Sequence, residues 1–494
     1  MSNQPDYSMM VYGPDYIMPS RIHIHNLDND SLLQIFSSYR QQDGDDWHLR
    51  HTWWRLAHVC RRWRYLVYCS SFHLDIYLRL TNNSPSISTL SHLPSLPLVI
   101  DYSDGTRVLA WQDEDNIHFG LQQHGRVVWV SLQGPSSTLH MLLQLMNRPF
   151  SRLRDLSLLS TTTDEMSLVL PETFRAPFLD HLSLQGIGLP RGLSLLSSMI
   201  TLSTLSLTHI PNSCYFPPVH LATQLQGLPY LRELSVGFVI PIPLPSSEGE
   251  LLPTPIPPVT LPALKWLTFR GASVYLDNLA AQINTPLLEQ LSLTLFFEVA
   301  FTFVNLAAFI HRIKGFRCLV SRVIFDKHST SIDYYEHWDT GKSSLHVNIN
   351  CQPLDWQIDS ATQVCTALGN VLSTVEELVL DINVDGMPLD WQNILDNILW
   401  HELLLPFIKV KKLRIGSLLT LELSQALRSV AGELVLEILP ELQELEVQLE
   451  VDYAKKEFSG FVVTRESIGR PVHLFSLQQG SPEVRALSLI ASTY

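Results

Sequence analysis

The chain has 494 residues, 46% of them hydrophobic and 17% charged, with 34 basic against 48 acidic side chains and a net charge of −14. That length exceeds what one compact core supports, so several domains or an elongated array is required, and the apolar content excludes wholesale disorder. The negative balance argues against a phosphate-binding surface, so no nucleic-acid partner is expected.

Residues 1–20 hold three Tyr, four Met and two Asp without periodicity, and read as a flexible tail. They lack a basic stretch followed by an apolar one, and the six cysteines show no C-x-x-C pair, which together predict a reducing intracellular compartment, cytoplasmic or nuclear.

Residues 21–80 predict a small all-helical module. Asp28 and Asp30 are candidate caps for a helix over about 31–40 on which Leu32, Ile35, Phe36 and Tyr39 recur at helical spacing. A polar link at 41–46 leads to a second helical stretch, with Leu56, Val59, Cys60, Trp63, Leu66 and Val67 on one face. Arg50, Arg55, Arg61, Arg62 and Arg64 form a basic cluster that reads as a solvated helix face or as a complement to an acidic partner.

The run LDNDSLLQIF at 27–36, followed by VCRRWRYLV at 59–67, resembles an F-box. The chain as a whole is similar to the large F-box group of basidiomycete fungi, which carries irregular leucine-rich repeats after the box. The resemblance implies that Leu27, Leu32, Leu33, Ile35, Phe36, Val59, Cys60 and Trp63 bind the adaptor subunit of an SCF (cullin-RING) ubiquitin ligase, and that the repeats capture a protein target. Asp28 stands where the family usually has proline, and residues 43–54 lengthen the link between the two halves of the motif.

From residue 90 to 494 a different pattern takes over. Nine copies of an apolar triplet at i, i+3 and i+5 begin at Leu153, Leu179, Leu202, Leu231, Leu264, Leu288, Val375, Val410 and Leu442. Five have a proline two residues before the first position, at Pro177, Pro229, Pro262, Pro286 and Pro440. Since proline cannot continue a helix, each Pro-x-Leu is expected to stop a helical stretch ahead of a short strand, and helical spacing is seen in Leu221, Leu225 and Leu228 before Pro229 and in Ile394, Leu395, Ile398, Leu399 and Leu403 before Pro406.

The resulting fold class is α/β: the helical module, then an irregular leucine-rich-repeat solenoid of strand-loop-helix units. Weaker copies at Val320/Val323/Phe325 and Leu345/Val347/Ile349 are expected to carry the array across 288–375, and Val127/Val130/Leu132 and Val484/Leu487/Leu489 to extend it. The Asn or Cys that regular repeats place eight residues after the first leucine occurs only as Asn383, which predicts irregular curvature. Residues 241–263 are too proline-rich for regular structure and read as a loop extruded from the array.

The near misses to catalytic motifs fail on chemistry. Gly341-Lys342-Ser343 lacks the upstream glycine of a phosphate cradle, Glu336 standing in its place, and His401-Glu402 lacks a second imidazole because Leu405 fills that position. His48, His51, His58 and Cys60 have no known metal-ligand spacing, and the adjacent pairs Asp45/Asp46 and Glu376/Glu377 diverge on any regular element. Neither cofactor nor metal is expected. The apolar run from Leu293 to Ile310, interrupted by Glu298, Thr302 and Asn305, predicts a buried strand and helix rather than a membrane span.

The reading is therefore a non-enzymatic adaptor whose partners are a ligase adaptor subunit with its cullin and a protein target. The alternatives are a repeat scaffold with no ligase partner, in which the helical module merely caps the array, and a β-helix enzyme, which would show stacked Asn or Asp ladders and an acidic cleft.

Overall fold

The computed structural model describes residues 24–41, 53–71, 73–74, 76–81, 96–103, 111–162, 168–190, 195–239, 257–313, 318–336, 343–383, 397–429, 437–448 and 451–476. The chain divides into two compact units, Met1–Leu78 with Ser88–Pro97 and Arg79–Ile87 with Leu98–Tyr494. The expected tail at 1–20 and the triplet Val484/Leu487/Leu489 lie outside the described residues, as does most of the proline-rich stretch.

In the first unit the described helices are α1 (Asn29–Gln41), α2 (Trp53–Val59) and α3 (Arg61–Cys69). The continuous second helix expected from the sequence is broken at Cys60, whose backbone is extended (φ −157°, ψ 172°). The break is stabilised on both sides. The Cys60 thiol accepts the Trp63 N–H at 3.4 Å as the N-cap of α3, and Arg64 Nε donates to the Ala57 carbonyl at 2.9 Å.

The second unit is mixed α/β around a large, mostly parallel sheet. Among the described residues its strands are β1 (Leu78–Leu80), β2 (Leu98–Tyr102), β3 (Val127–Gly134), β4 (Asp155–Ser160), β5 (His181–Gln185), β6 (Thr204–Ile210), β7 (Glu233–Phe238), β8 (Trp266–Gly271), β9 (Gln290–Phe296), β10 (Val320–Phe325), β11 (Ser329–Tyr335), β12 (Leu345–Asn350), β13 (Glu377–Ile382), β14 (Lys412–Ile415), β15 (Glu444–Val447) and β16 (His473–Ser476). They lie side by side in chain order except that β9 is followed by β12, β11 and β10 before β13.

All residues of the nine triplets are buried, and successive copies stand in register: Leu156 faces Leu182, Leu182 faces Leu205, and Leu205 faces Leu234. Each strand thus presents one apolar face to a shared core, and burying one such leucine contributes about 1.5–3 kcal/mol. Helices that pack beside the strands include α4 (Trp111–Gln122), α5 (Ser136–Leu145), α6 (Pro218–Leu225), α7 (Ser273–Gln282), α8 (Val304–Arg312), α9 (Leu354–Ala367), α10 (Asn397–Leu404), α11 (Thr420–Ser429) and α12 (Val451–Ser467). The apolar run 293–310 is the end of β9 followed by α8, with Leu293, Leu295, Leu306, Phe309 and Ile310 buried.

The prolines act differently from the expectation. Among the described residues helices do end ahead of Pro229 (α6) and Pro406 (α10, Asn397–Leu404), and Glu437 ahead of Pro440 is helical, whereas extended pairs, Val259–Thr260 with Ile283–Asn284, precede Pro262 and Pro286. Each of the five triplet prolines instead occupies the second position of a β-turn whose last residue is the first apolar residue of the triplet. Leu179 N–H donates to Ala176 O, Leu231 to Leu228, Leu264 to Leu261, Leu288 to Thr285 and Leu442 to Leu439, at 3.1–3.4 Å. Proline's fixed φ suits that position, so it shapes the entry to the strand rather than terminating a helix. The strand at Val259–Thr260 also shortens the loop expected over 241–263.

The stretch between β9 and β13 corrects a second expectation. Val320/Val323/Phe325 and Leu345/Val347/Ile349 are indeed buried strand residues, but they belong to an antiparallel meander, β10–β11–β12, inserted in reverse order. Three residues join β10 to β11, and Asp326 N–H donates to Ser329 O at 2.8 Å. So short a connection permits only a hairpin, because a parallel crossover takes roughly a dozen residues.

In α10 the buried residues are Trp400, Leu403 and Leu404, while Ile398 is exposed, which rotates the apolar face away from the phase expected. Where regular repeats use an asparagine ladder, this chain uses its main chain. The carbonyl of Arg154 accepts the N–H groups of Asp180 and His181 at 2.8 and 2.9 Å, and those of Asp180, Ser203, Arg232 and Lys265 repeat the pattern. Successive strands are thereby tied at their first residue without a polar side chain.

Candidate protein-binding surfaces

In the first unit Asp28 occupies the N-cap of α1. Its carboxylate accepts the Ser31 backbone N–H at 2.7 Å, which holds it below the usual aspartate range. Asp30 lies within the first turn. Arg62 on α3 donates to the Leu27 carbonyl at 2.6 Å and to Asn29 Oδ1 at 2.8 Å, fastening the two helices, while Arg55 and Arg61 are exposed.

The eight residues singled out from the sequence separate into three groups. Leu32, Phe36 and Trp63 are buried, and the Phe36 and Trp63 rings, edge to face at 4.8 Å, pack α1 against α3. Leu27, Leu33 and Cys60 are half-buried, the last committed to its cap. Ile35 and Val59 are 42% and 55% exposed and are the two of the eight free to meet a partner. Val59 reaches the surface because the helix breaks immediately after it.

The second unit offers a polar sheet face. On the side away from the core, Ser131, Ser157, Ser183, Ser206, Ser235, Thr268 and Ser292 stand in register across β3 to β9, one hydroxyl per strand. The signal was in the sequence as the residue inside each triplet, the Ser of Leu-Ser-Leu, but attention to apolar periodicity passed over it. Beside this row Trp129 and Trp266 expose their indoles.

Further along, the same row becomes charged and internally paired. His346 Nδ1 lies 2.6 Å from Asp333 Oδ1, and Arg414 Nε lies 2.8 Å from both Glu377 Oε1 and Glu446 Oε2, with Lys412 bridging Glu444 and Glu446. Arg322 is buried and faces Asp381 at 3.5 Å; burial raises the Asp381 pKa, which Arg322 partly offsets. Hydroxyls on small side chains and neutralised ion pairs suit short-range hydrogen bonding to a protein surface.

Glu376 and Glu377 diverge, the first pairing with Lys411 at 3.1 Å and the second with Arg414. His401 Nε2 is bound to the Ala426 carbonyl at 2.7 Å, so it is tied to the fold. Gly341 and Lys342, Asp45 and Asp46, and His48 and His51 lie outside the described residues, and His58 is exposed. Among the described residues no cluster of three or more His, Cys, Asp or Glu is placed to hold a metal ion, and no helix is long and apolar enough to cross a membrane. No protein-family model matches the chain, and no curated protein matches its sequence.

Proposed function

We propose that the chain is a non-catalytic substrate-recognition adaptor of an SCF ubiquitin ligase. The helical module, an F-box-like unit, docks to the ligase adaptor subunit, and the repeats, stacked as an irregular leucine-rich-repeat solenoid, hold a protein target. Ubiquitin transfer belongs to other subunits, and the contribution of this chain is to raise the effective concentration of target at the charged conjugating enzyme.

The observation that carries the reading is the F-box-like pair of segments, 27–36 and 59–67, in which Leu32, Phe36 and Trp63 form a core while Ile35 and Val59 remain on the surface. Exposed aliphatic residues on a small helical unit are what a partner's helices would cover. A second reading, a repeat scaffold without a ligase partner, requires Leu33, Phe36 and Trp63 all to be buried; Phe36 and Trp63 are, and Leu33 is half-buried.

Affinity purification from cells separates the two. The adaptor reading expects wild type to bring down the ligase adaptor subunit and cullin, and Ile35→Asp/Val59→Asp to lose both while staying folded. Recovery of neither by the wild type overturns it and leaves the scaffold.

A further inference from the structure

On the polar face of the sheet, between β6 and β8, the regular row of side chains is interrupted. Leu207 pairs with Val236 and Ile210 with Phe238, so Thr208 and His209 together oppose the single residue Gly237. This is a β-bulge, a device that re-aims side chains. His209 takes a left-handed backbone, φ 51°, one of two non-glycine residues with positive φ among those described. Such strain persists where surrounding structure imposes it, and it concentrates at ligand sites.

Gly237 lets the neighbouring strands approach closely at the floor of the bulge. A Cβ there would lie 3.3 Å from Arg270 Cβ, 3.7 Å from Thr208 Cα and 3.9 Å from His209 N, so His209 and Arg270 flank a position with no side chain of its own. Arg270 Nε and His209 Nδ1 are buried without a hydrogen bond, and among the described residues the guanidinium has no ion pair. The other cations on this face, Arg322, Lys412 and Arg414, each have a carboxylate. In a chain of net charge −14, an arginine left without an acid is the exception that needs an occupant.

We propose that the notch formed by His209, Gly237 and Arg270 binds an oxyanion, the carboxylate or phosphate group of an acidic or phosphorylated peptide side chain. The Arg270 guanidinium supplies the charge and a forked set of donors. The imidazole of His209, held by the bulge, supplies a second contact, and Gly237 puts no side chain between the two. Burial and the positive charge of Arg270 both lower the His209 pKa, so the empty notch holds neutral imidazole at neutral pH and a bound anion would raise that pKa. The site is a property of the chain alone and stands whether or not a ligase adaptor binds the helical module.

The test uses the full chain with ¹⁵N-labelled imidazoles, the His209 resonance being assigned by its loss in His209→Gln. Inorganic phosphate is titrated against sodium chloride of equal ionic strength. The expected result is a saturable shift of His209 with an upward move of its titration midpoint, and binding weakened at least about 10-fold in Arg270→Gln, the scale of one charge-assisted contact. Arg270→Lys should retain part of the response, and circular dichroism checks that both variants fold.

A second arm replaces Glu248 and Glu250 by Gln. If the wild type is silent but this variant responds, the wild-type notch takes no external oxyanion and the proposal is overturned. No response in either protein, or an equal response in Arg270→Gln, overturns the proposal.

Discussion

Asp277 on α7 accepts the backbone N–H of Asn305, at the start of α8, at 2.7 Å, and its second oxygen accepts the Asn305 side-chain amide at 2.8 Å. The first oxygen also accepts the Leu306 N–H at 2.9 Å. A buried aspartate on one helix thus caps the next, and the contact couples neighbouring units along the sheet.

Replacing Asp277 by Ala removes that cap and leaves two N–H groups without a partner, for a loss of about 2 kcal/mol. Urea unfolding followed by tryptophan fluorescence should show a lower midpoint at unchanged slope. Asp277→Asn, which keeps one acceptor, should lose about half as much, and equal losses would show that the carboxylate's second oxygen matters more than the cap.

Gln357 performs a comparable task inside the reversed meander. Its fully buried amide Nε2 lies within hydrogen-bond reach of the carbonyls of Asp326, Cys351 and Gln352 at 2.7, 2.9 and 3.2 Å. Gln357→Leu should cost about 2–3 kcal/mol because these acceptors stay buried. Hydrogen exchange should show the loss first at β10–β12, and uniform loss of protection across β3–β9 would contradict the assignment.

These two devices mark where the sequence ceased to be legible. The triplets announced their own burial because a period of two over a short apolar run leaves one face for the core. The prolines were misread because a helix stop and the second position of a β-turn demand the same φ, and only the hydrogen bond from Leu231 to Leu228 tells them apart. The reversed order of β10, β11 and β12 was hidden because Val323 and Val347 look alike from either strand direction, while STSIDYY of β11 carries no leucine at all. In the first unit helical spacing was legible over 29–41, but one extended residue, Cys60, decides that Val59 is exposed. Nothing in the residue types marks His209 as left-handed, so the notch with Arg270 emerges only from the register.

The thiols of Cys318, Cys351 and Cys365 are buried, and burial pushes their pKa values up to about 11, about 11 and about 12 from 9.0. A thiol raised in the folded state keeps its proton when the unfolded chain has lost it, so its contribution is fully present below pH 9 and is lost as pH rises through the folded values. Stability measured by urea unfolding should therefore fall between about pH 9 and 11, and by less in a Cys318→Ala/Cys351→Ala variant. Iodoacetamide at pH 8 should label exposed Cys69 quickly and the three buried thiols only on unfolding.

The repeat geometry makes a further demand on Gly416. A Cβ there would collide with the Asp381 carboxylate, which is held by Arg322 and by the Ile382 N–H. Gly416→Ala should cost about 1–3 kcal/mol through displacement of that carboxylate. Gly369→Ala, where a Cβ meets nothing within 4 Å, is the matched control and should be neutral or slightly stabilising on thermal unfolding.

The proposed adaptor function is tested most directly by mixing the purified full chain with recombinant ligase adaptor subunit and measuring complex mass by size-exclusion chromatography with light scattering. The account predicts a one-to-one complex with wild type and none with Ile35→Asp/Val59→Asp, whose circular dichroism should match wild type because both residues are exposed. Separate elution of wild type and adaptor subunit at micromolar concentrations would contradict it.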